Sequence, residues 1–298
     1  MMLNKEDILH RLRRAGIAVD GPRLRVESRN GRILVHLDDD RIAWFPEHPE
    51  ARVAIENERR LLRLIEKYCR FRAPRILYVD VEGWDVRAMV LGVAATDFLT
   101  QVRTDPDGAI RTGAALGRIL AEQHTRVPAS ELGWLARIPP WPKSAAIANL
   151  PKVIEDSRLL ARINRALEWW KESTPEVSDA VLVHGDLGPW NLAVSAATGE
   201  VQGVFDYGDA VFGDRHQDFK YMQFHRPEEQ VMLEAAIETY EEATRVNLDR
   251  GRIRFFNAIE AIGFLGFRFG HAYNERWCGR TLDEDVEWTA TALEAAGF

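Results

Sequence analysis

The chain has 298 residues, 46% of them hydrophobic, which suits a globular protein of one large or about two ordinary domains. A formal net charge of −7 argues against a nucleic-acid footprint, and Cys69 and Cys278, with no CxxC pair, suggest neither a disulfide framework nor a thiolate zinc site. The N-terminus is charged throughout, and the most apolar later stretch, Phe255 to Gly270, is interrupted by Glu260 and Arg268, so secretion and membrane spanning are not expected and a reducing cytoplasm is.

Residues 4 to 17 read as a short amphipathic helix with Ile8, Leu9, Leu12 and Ile17 on its apolar face. From Leu24 the pattern changes to alternation. LRVES, the hairpin signal Asn30-Gly31, ILVHL, a turn at Asp38-Asp39-Asp40 and RIAWF, closed by Pro46, give three antiparallel strands. A helix pattern follows from Pro49 to Lys67. Ile55, Leu62 and Ile65 mark its buried face, and Glu58 falls on that face, where a bare carboxylate needs a cationic partner. After Pro74, ILYVDVEG and WDVRAMVLG complete a five-stranded sheet, and polar, turn-rich residues run on to Gly108.

Residues 110 to 126 read as a helix with His124 near its end, a position where a lone histidine is more often structural than catalytic. RIPPWPKS is a loop, and residues 145 to 171 are largely helical, ending in Trp169-Trp170, which read as packing residues. Three further helix patterns run from Glu228 to Phe298. Glu234, Glu238, Glu241 and Glu242 share helical spacing in the first. Glu260 lies in the second among Phe264, Phe267 and Tyr273, where an acid among aromatics either holds a cationic ligand or sits at a helix edge. No internal repeat or low-complexity tract is present.

The chemistry concentrates between Val181 and Asp218. An apolar run ends in His184-Gly185-Asp186, Asn191 follows five residues after Asp186, and a second apolar run delivers Asp206-Tyr207-Gly208. Phosphoryl transfer from a nucleotide needs a carboxylate to orient the attacking hydroxyl and hard oxygen ligands for Mg²⁺. Asp186 suits the first role, Asn191 and Asp206 the second. Asp209, Asp214 and Asp218 follow closely, in what also reads as a solvated loop.

HGDLGPWN followed by FDYGD resembles the catalytic and metal-binding segments of small-molecule kinases related to aminoglycoside phosphotransferases and choline kinases, themselves similar to protein kinases. The resemblance implies a bilobal α+β fold, with a small five-stranded antiparallel nucleotide-binding lobe over residues 1–95 and a larger, mainly helical lobe over 96–298 that holds the acceptor pocket. It implies that the turn from Arg29 to Arg32, around Gly31, covers the nucleotide phosphates, and that the backbone near Leu91 and Val93 holds the base, with Val90 lining the pocket. His184 would brace the catalytic loop, Gly188 and Pro189 would shape it, and Asp218 would be structural.

The resemblance also implies a lysine, or sometimes an arginine, just before the Phe-Pro of the third strand, paired with Glu58. Trp44 stands there, and none of the six lysines lies on that strand. Arg41 is the nearest substitute, but alternation sets it on the face opposite Trp44, so it serves only if the register is displaced by one residue.

The activity implied is Mg²⁺-assisted phosphorylation of a small-molecule hydroxyl by ATP or GTP. The alternative is a catalytically impaired, nucleotide-binding pseudokinase in which Trp44 blocks phosphate placement. A metal-dependent hydrolase using His184, Asp186 and Asp206 fits less well, because one histidine and an asparagine do not make a catalytic zinc set. Charge separates the acceptor classes only mildly: 18 Lys and Arg against 15 Asp and Glu through Ala95 suit polyphosphate, whereas 21 against 31 thereafter suit a cationic acceptor such as an aminoglycoside or amino alcohol. The expected partner is this small molecule, not nucleic acid or membrane; the oligomeric state is left open.

Overall fold

The computed structural model describes residues 4–19, 24–137, 142, 144–172, 178–271, 275–276 and 280–298. The expected positions Tyr273 and Cys278 and most of the RIPPWPKS loop lie outside them. The chain divides into two compact units, Met1–Ala95 with Asn191–Gly208, and Thr96–Trp190 with Asp209–Phe298. Residues 191–208, expected in the larger lobe, cluster with the N-terminal residues.

Helix α1 (Lys5–Arg14) opens the first unit, fixed by a reciprocal capping box between Asn4 and Asp7. Strands β1 (Arg25–Arg29) and β2 (Arg32–His36) are joined by the two-residue turn Asn30-Gly31, with both φ angles positive at 53° and 73° as a type I′ hairpin requires. Strand β3 (Arg41–Pro46), helix α2 (Pro49–Tyr68), β4 (Arg75–Val79) and β5 (Asp85–Ala88) follow. The five strands form an antiparallel sheet in the order β1-β2-β3-β5-β4.

Register sorts this sheet into two faces. Ile33, Val35, Ala43, Phe45 and Val86 pack with Ile8 and Leu12 of α1 and with Trp84, whose ring stacks on Phe45 at 4.8 Å. The other face carries Arg32, Leu34, Trp44, Asp85 and Arg87, since Leu34 pairs with Trp44 and Trp44 with Asp85. Trp44 and Arg41 are therefore on opposite faces, as alternation requires.

Strand β6 (Val93–Ala94) ends this part of the unit. Residues expected to be irregular as far as Gly108 contain a short helix, α3 (Phe98–Thr104), capped by Asp97, and the next helix, α4 (Pro106–Arg126), begins earlier than its apolar period suggests. The difference is one of capping: Asp105 accepts from the Gly108 N–H, and Pro106, with no N–H to satisfy, suits the first helical turn.

Helices α5 (Ser144–Ile147), α6 (Leu150–Val153) and α7 (Ser157–Glu172) lead to β7 (Val181–Val183). The chain then returns to the first unit, where β8 (Leu192–Val194) and β9 (Val201–Val204) form a three-stranded sheet in the order β6-β8-β9. Back in the second unit, β10 (Val211–Gly213) pairs with β7, a 3₁₀ turn spans Arg215–Met222, and helices α8 (Val231–Thr244), α9 (Arg250–His271) and α10 (Leu282–Ala295) complete the chain. The helical core joins Leu159, Ile163 and Leu167 of α7 to Phe255, Ile259, Ile262 and Leu265 of α9 and Leu293 of α10. Trp169 lies edge-on to Phe255 at 4.3 Å, a packing contact. No helix among the described residues is long and apolar enough to cross a membrane.

Candidate active site

In the first unit the buried carboxylate of Glu58 has its cation. Arg87, on β5, brings Nη1 to 2.8 Å from Glu58 Oε2, and both side chains are almost wholly buried. Arg87 also donates through Nε to Asp85 Oδ1 at 2.8 Å, and Arg59 donates to Asp85 Oδ2 at 3.0 Å. Burial works against a charge on Arg87, but Glu58 and Asp85 outweigh it and raise the guanidinium above its ordinary pKa.

The substitute for the expected lysine pair is thus an arginine, and it is not Arg41. Arg41 sits on the far face and donates to Asp38 Oδ2 at 2.7 Å. Arg87 was missed because it lies two strands on in the sequence; its one signal was the charged pair Asp85 and Arg87 inside the otherwise apolar run WDVRAMV.

Trp44 lies among these cations, with the guanidinium carbons of Arg87 and Arg32 at 4.2 and 5.1 Å from its ring centroid. Arg32 reaches Glu58 only at 3.6 Å. Gly31, the centre of the expected phosphate-covering turn, abuts His48: a Cβ there would come within 2.1 Å of His48 Nε2. Leu91 and Val93 are exposed, and Val93 pairs with Val194.

Asn191 and Asp206 also lie in the first unit, at the ends of β8 and β9. The Phe205 N–H donates to the Asn191 carbonyl at 3.1 Å, which continues the β8–β9 ladder as far as the residue before Asp206. Asp206 itself adopts a left-handed backbone, φ 63°, which aspartate tolerates better than most residues and which turns the chain at the strand end. One amide oxygen and one carboxylate are hard donors suited to Mg²⁺, an ion that keeps several waters and takes only one or two protein carboxylates. Among the described residues no group of three or more His, Cys, Asp or Glu side chains could hold a metal ion.

The Asp186 loop belongs to the second unit and is held from below by Asp218. One Asp218 oxygen accepts the His184 N–H at 2.9 Å and the other the Gly185 N–H at 3.0 Å. His124 Nε2 lies 3.1 Å from Asp218 Oδ2, and its Nδ1 is 3.1 Å from the Tyr240 hydroxyl. Burial pushes the His124 pKa down, so the neutral imidazole donates to Asp218 and accepts from Tyr240. Burial also opposes ionisation of Asp218, but the His124 bond and the backbone N–H groups hold its pKa below the usual carboxylate value. The acidic partner of His124 is supplied by an element remote in sequence.

Both oxygens of Asp186 receive hydrogen bonds, from the Tyr221 hydroxyl at 2.7 Å and from Trp190 Nε1 at 3.1 Å. Burial keeps Tyr221 protonated, and the charges of Glu260 and Asp186 reinforce the effect. His184 Nδ1 accepts the Asp186 N–H at 3.3 Å, the bracing expected of it. Lys220 joins Gly185 O at 2.7 Å to Glu260 Oε2 at 2.8 Å. Glu260 is therefore a buried ion-pair partner of Lys220 and not a free anion for a cationic ligand. On α8, Glu234 and Glu241 pair with Arg250, at 2.7 Å and 3.9 Å. Asp214 caps the 3₁₀ turn through the His216 N–H and pairs with Arg252. Neither Tyr221 nor Lys220 could be singled out from sequence, because one residue in a polar loop carries no periodic signal.

The sequence model of a phosphotransferase enzyme family matches residues 9–256. The chain belongs to that family, and its class is that of phosphotransferases. No curated protein matches the chain. Among solved structures it resembles the ADP-bound aminoglycoside phosphotransferase APH(2'')-Ib, with TM-score 0.62, 16% identity and coverage of 99% of this chain and 100% of that one. The macrolide 2'-phosphotransferase MphH from Brachybacterium faecium gives TM-score 0.60 at 20% identity, covering 97% and 98%. The streptomycin–ATP complex of APH(2")-IIa gives 0.62 at 16%, covering 93% of each chain. The fold is the kinase-like α+β fold of these enzymes, with a small five-stranded antiparallel sheet and a mainly helical remainder.

Proposed function

We propose that this chain transfers the γ-phosphoryl group of ATP or GTP to a hydroxyl of a small molecule, with Mg²⁺. The family match over residues 9–256, which takes in Glu58, the Asp186 loop and Asp206, carries the reading. Asp186 orients the acceptor hydroxyl and takes its proton; a carboxylate has about four lone-pair sites, so bonds from Tyr221 and Trp190 leave capacity for it. Asn191 and Asp206 would hold the metal through side-chain oxygens. Mg²⁺ held there would supply neutralisation of the negative charge on the transferring phosphoryl group. Gly31 and its turn cover the phosphates, and the Leu91 to Val93 backbone holds the base.

Acceptors named for the similar structures are aminoglycosides and macrolides. The excess of acidic residues after Ala95 favours a cationic one here, such as an aminoglycoside or amino alcohol. Purified protein is incubated with Mg²⁺, ATP or GTP and a panel of hydroxylated amines, sugars and macrolides. Nucleotide consumption abolished by Asp186→Asn supports the proposal; no consumption with any acceptor, and no effect of the substitution, overturns it.

The pseudokinase reading retains one specific observation, Trp44 in place of the strand cation with Arg87 committed to Glu58 and Asp85. Nucleotide affinity without turnover selects it.

A further inference from the structure

The buried charges beneath the β-sheet of the first unit do not cancel. Arg87 and Arg59 are matched by Glu58 and Asp85 through contacts of 2.8 to 3.0 Å. Arg32 is a further cation on the same face, and Glu58 and Asp85 are already taken by Arg87 and Arg59. Its Nη1 is 3.6 Å from Glu58, an oxygen already paired with Arg87, and its Nε is buried without a hydrogen-bond acceptor. Trp44 Nε1 beside it is likewise buried without a partner. A guanidinium held 15% exposed with an unmet Nε donor is costly unless an anion offsets the charge.

The free end of Arg32 turns toward the Asp206-Tyr207-Gly208 triplet. A Cβ built on Gly208 would stand 3.7 Å from Arg32 Nη2 and 3.3 Å from Asp206 Oδ1, so the exposed glycine leaves open a space flanked by a cation and a carboxylate. A carboxylate with its metal on one side and a guanidinium on the other is complementary to a polyphosphate. The tight Asn30-Gly31 turn fixes where Arg32 begins its strand, and the Trp44 ring packs against its guanidinium.

We infer that Arg32, the first residue of β2, is the cation that binds the nucleotide's phosphates in this chain, Arg87 having taken over only the structural half of the missing lysine's duty. The inference rests on the nucleotide-dependent reading above. It makes the cation and Trp44 a unit: the indole fills the strand position and orients an arginine arriving from the neighbouring strand.

Calorimetric titration separates the two claims. With Mg²⁺ present, ADP or GDP, whichever binds the unaltered chain, and the corresponding nucleoside are titrated into the unaltered chain, Arg32→Gln, Arg32→Lys and Gly208→Ala. Loss of charged hydrogen bonds to phosphate should weaken diphosphate binding about tenfold or more in Arg32→Gln and leave nucleoside binding within about twofold. Arg32→Lys should recover part of the loss, and Gly208→Ala, whose methyl enters the space beside Asp206, should weaken the diphosphate selectively. Thermal melting checks folding; if Arg32→Gln does not fold, Arg32→Lys and Gly208→Ala decide the matter by the same diphosphate-against-nucleoside comparison. Equal diphosphate affinity in the variants, or an equal loss for nucleoside and diphosphate, overturns the role of Arg32 while leaving the nucleotide reading intact. An unaltered chain that binds neither ADP nor GDP overturns both.

Discussion

Arg87 and Asp186 show how differently a single charged residue can be used. Arg87 neutralises two buried carboxylates, so its replacement strands Glu58 and leaves Asp85 to Arg59 alone. Arg87→Met should cost about 3–5 kcal/mol, read from urea unfolding, because an uncompensated buried charge costs more than the pair gains. Asp186 is only partly buried. Asp186→Asn should melt near the unaltered temperature and lower kcat by about 10²- to 10⁴-fold, the usual worth of a positioned base. A variant that loses stability but keeps its rate would place Asp186 in the scaffold instead. Asp206 holds a left-handed backbone that asparagine also tolerates, so Asp206→Asn removes a charge without refolding the turn.

Among the elements, the loop after β7 is tightly constrained. Gly185 has φ 85°, and a Cβ there would meet Asp209 O at 2.3 Å, a backbone atom that cannot rotate away. Gly199, in the β8–β9 turn, has φ 70° but nothing within 4 Å. Gly199→Ala should therefore show the conformational cost alone, about 1–3 kcal/mol, and Gly185→Ala that cost plus displacement of the Asp186 loop, with a larger fall in both unfolding midpoint and rate. Equal effects would mean the loop has room to relax. The same loop explains why Asp218 and His124 matter despite their distance from Asp186 in sequence: backbone N–H groups at 184 and 185 need acceptors once buried, and a carboxylate fixed by an imidazole supplies them.

For the whole molecule, the buried His124–Asp218 pair sets a pH dependence. The folded state lowers the pKa of His124 below 6.5, so the unfolded chain binds a proton there that the folded chain refuses. Stability is full above that value and falls as pH drops through it. Asp218, lowered below 3.8, adds a second loss at more acidic pH with the same sign. Melting curves taken downward from about pH 7.5 should show a decline of at most about 1.4 kcal/mol per pH unit for one proton, and His124→Asn should flatten its upper part. A nucleotide supplied with Mg²⁺ at about 100 times its Kd should stabilise the folded chain by about 2.7 kcal/mol, seen as a rise in melting temperature.

Patterns that are local in the chain were legible in the sequence: the I′ turn at Asn30-Gly31, the alternation separating Trp44 from Arg41, the apolar face of α2 carrying Glu58, and the HGDLGPWN and FDYGD segments with their spacing. Each depends on neighbours a few residues apart, through backbone preference or side-chain period. The partner of Glu58, the acceptor for the Asp186 loop and the fate of Glu260 depended on contacts between remote residues. Sheet order places β5 beside β3, and only that adjacency brings Arg87 onto the face of Trp44; the folded 3₁₀ turn alone delivers Asp218, Lys220 and Tyr221 to the loop after β7. A charge inside an apolar run announces that a counter-charge exists, but the counter-charge is chosen by which strands and helices meet in space, and that choice is made in three dimensions.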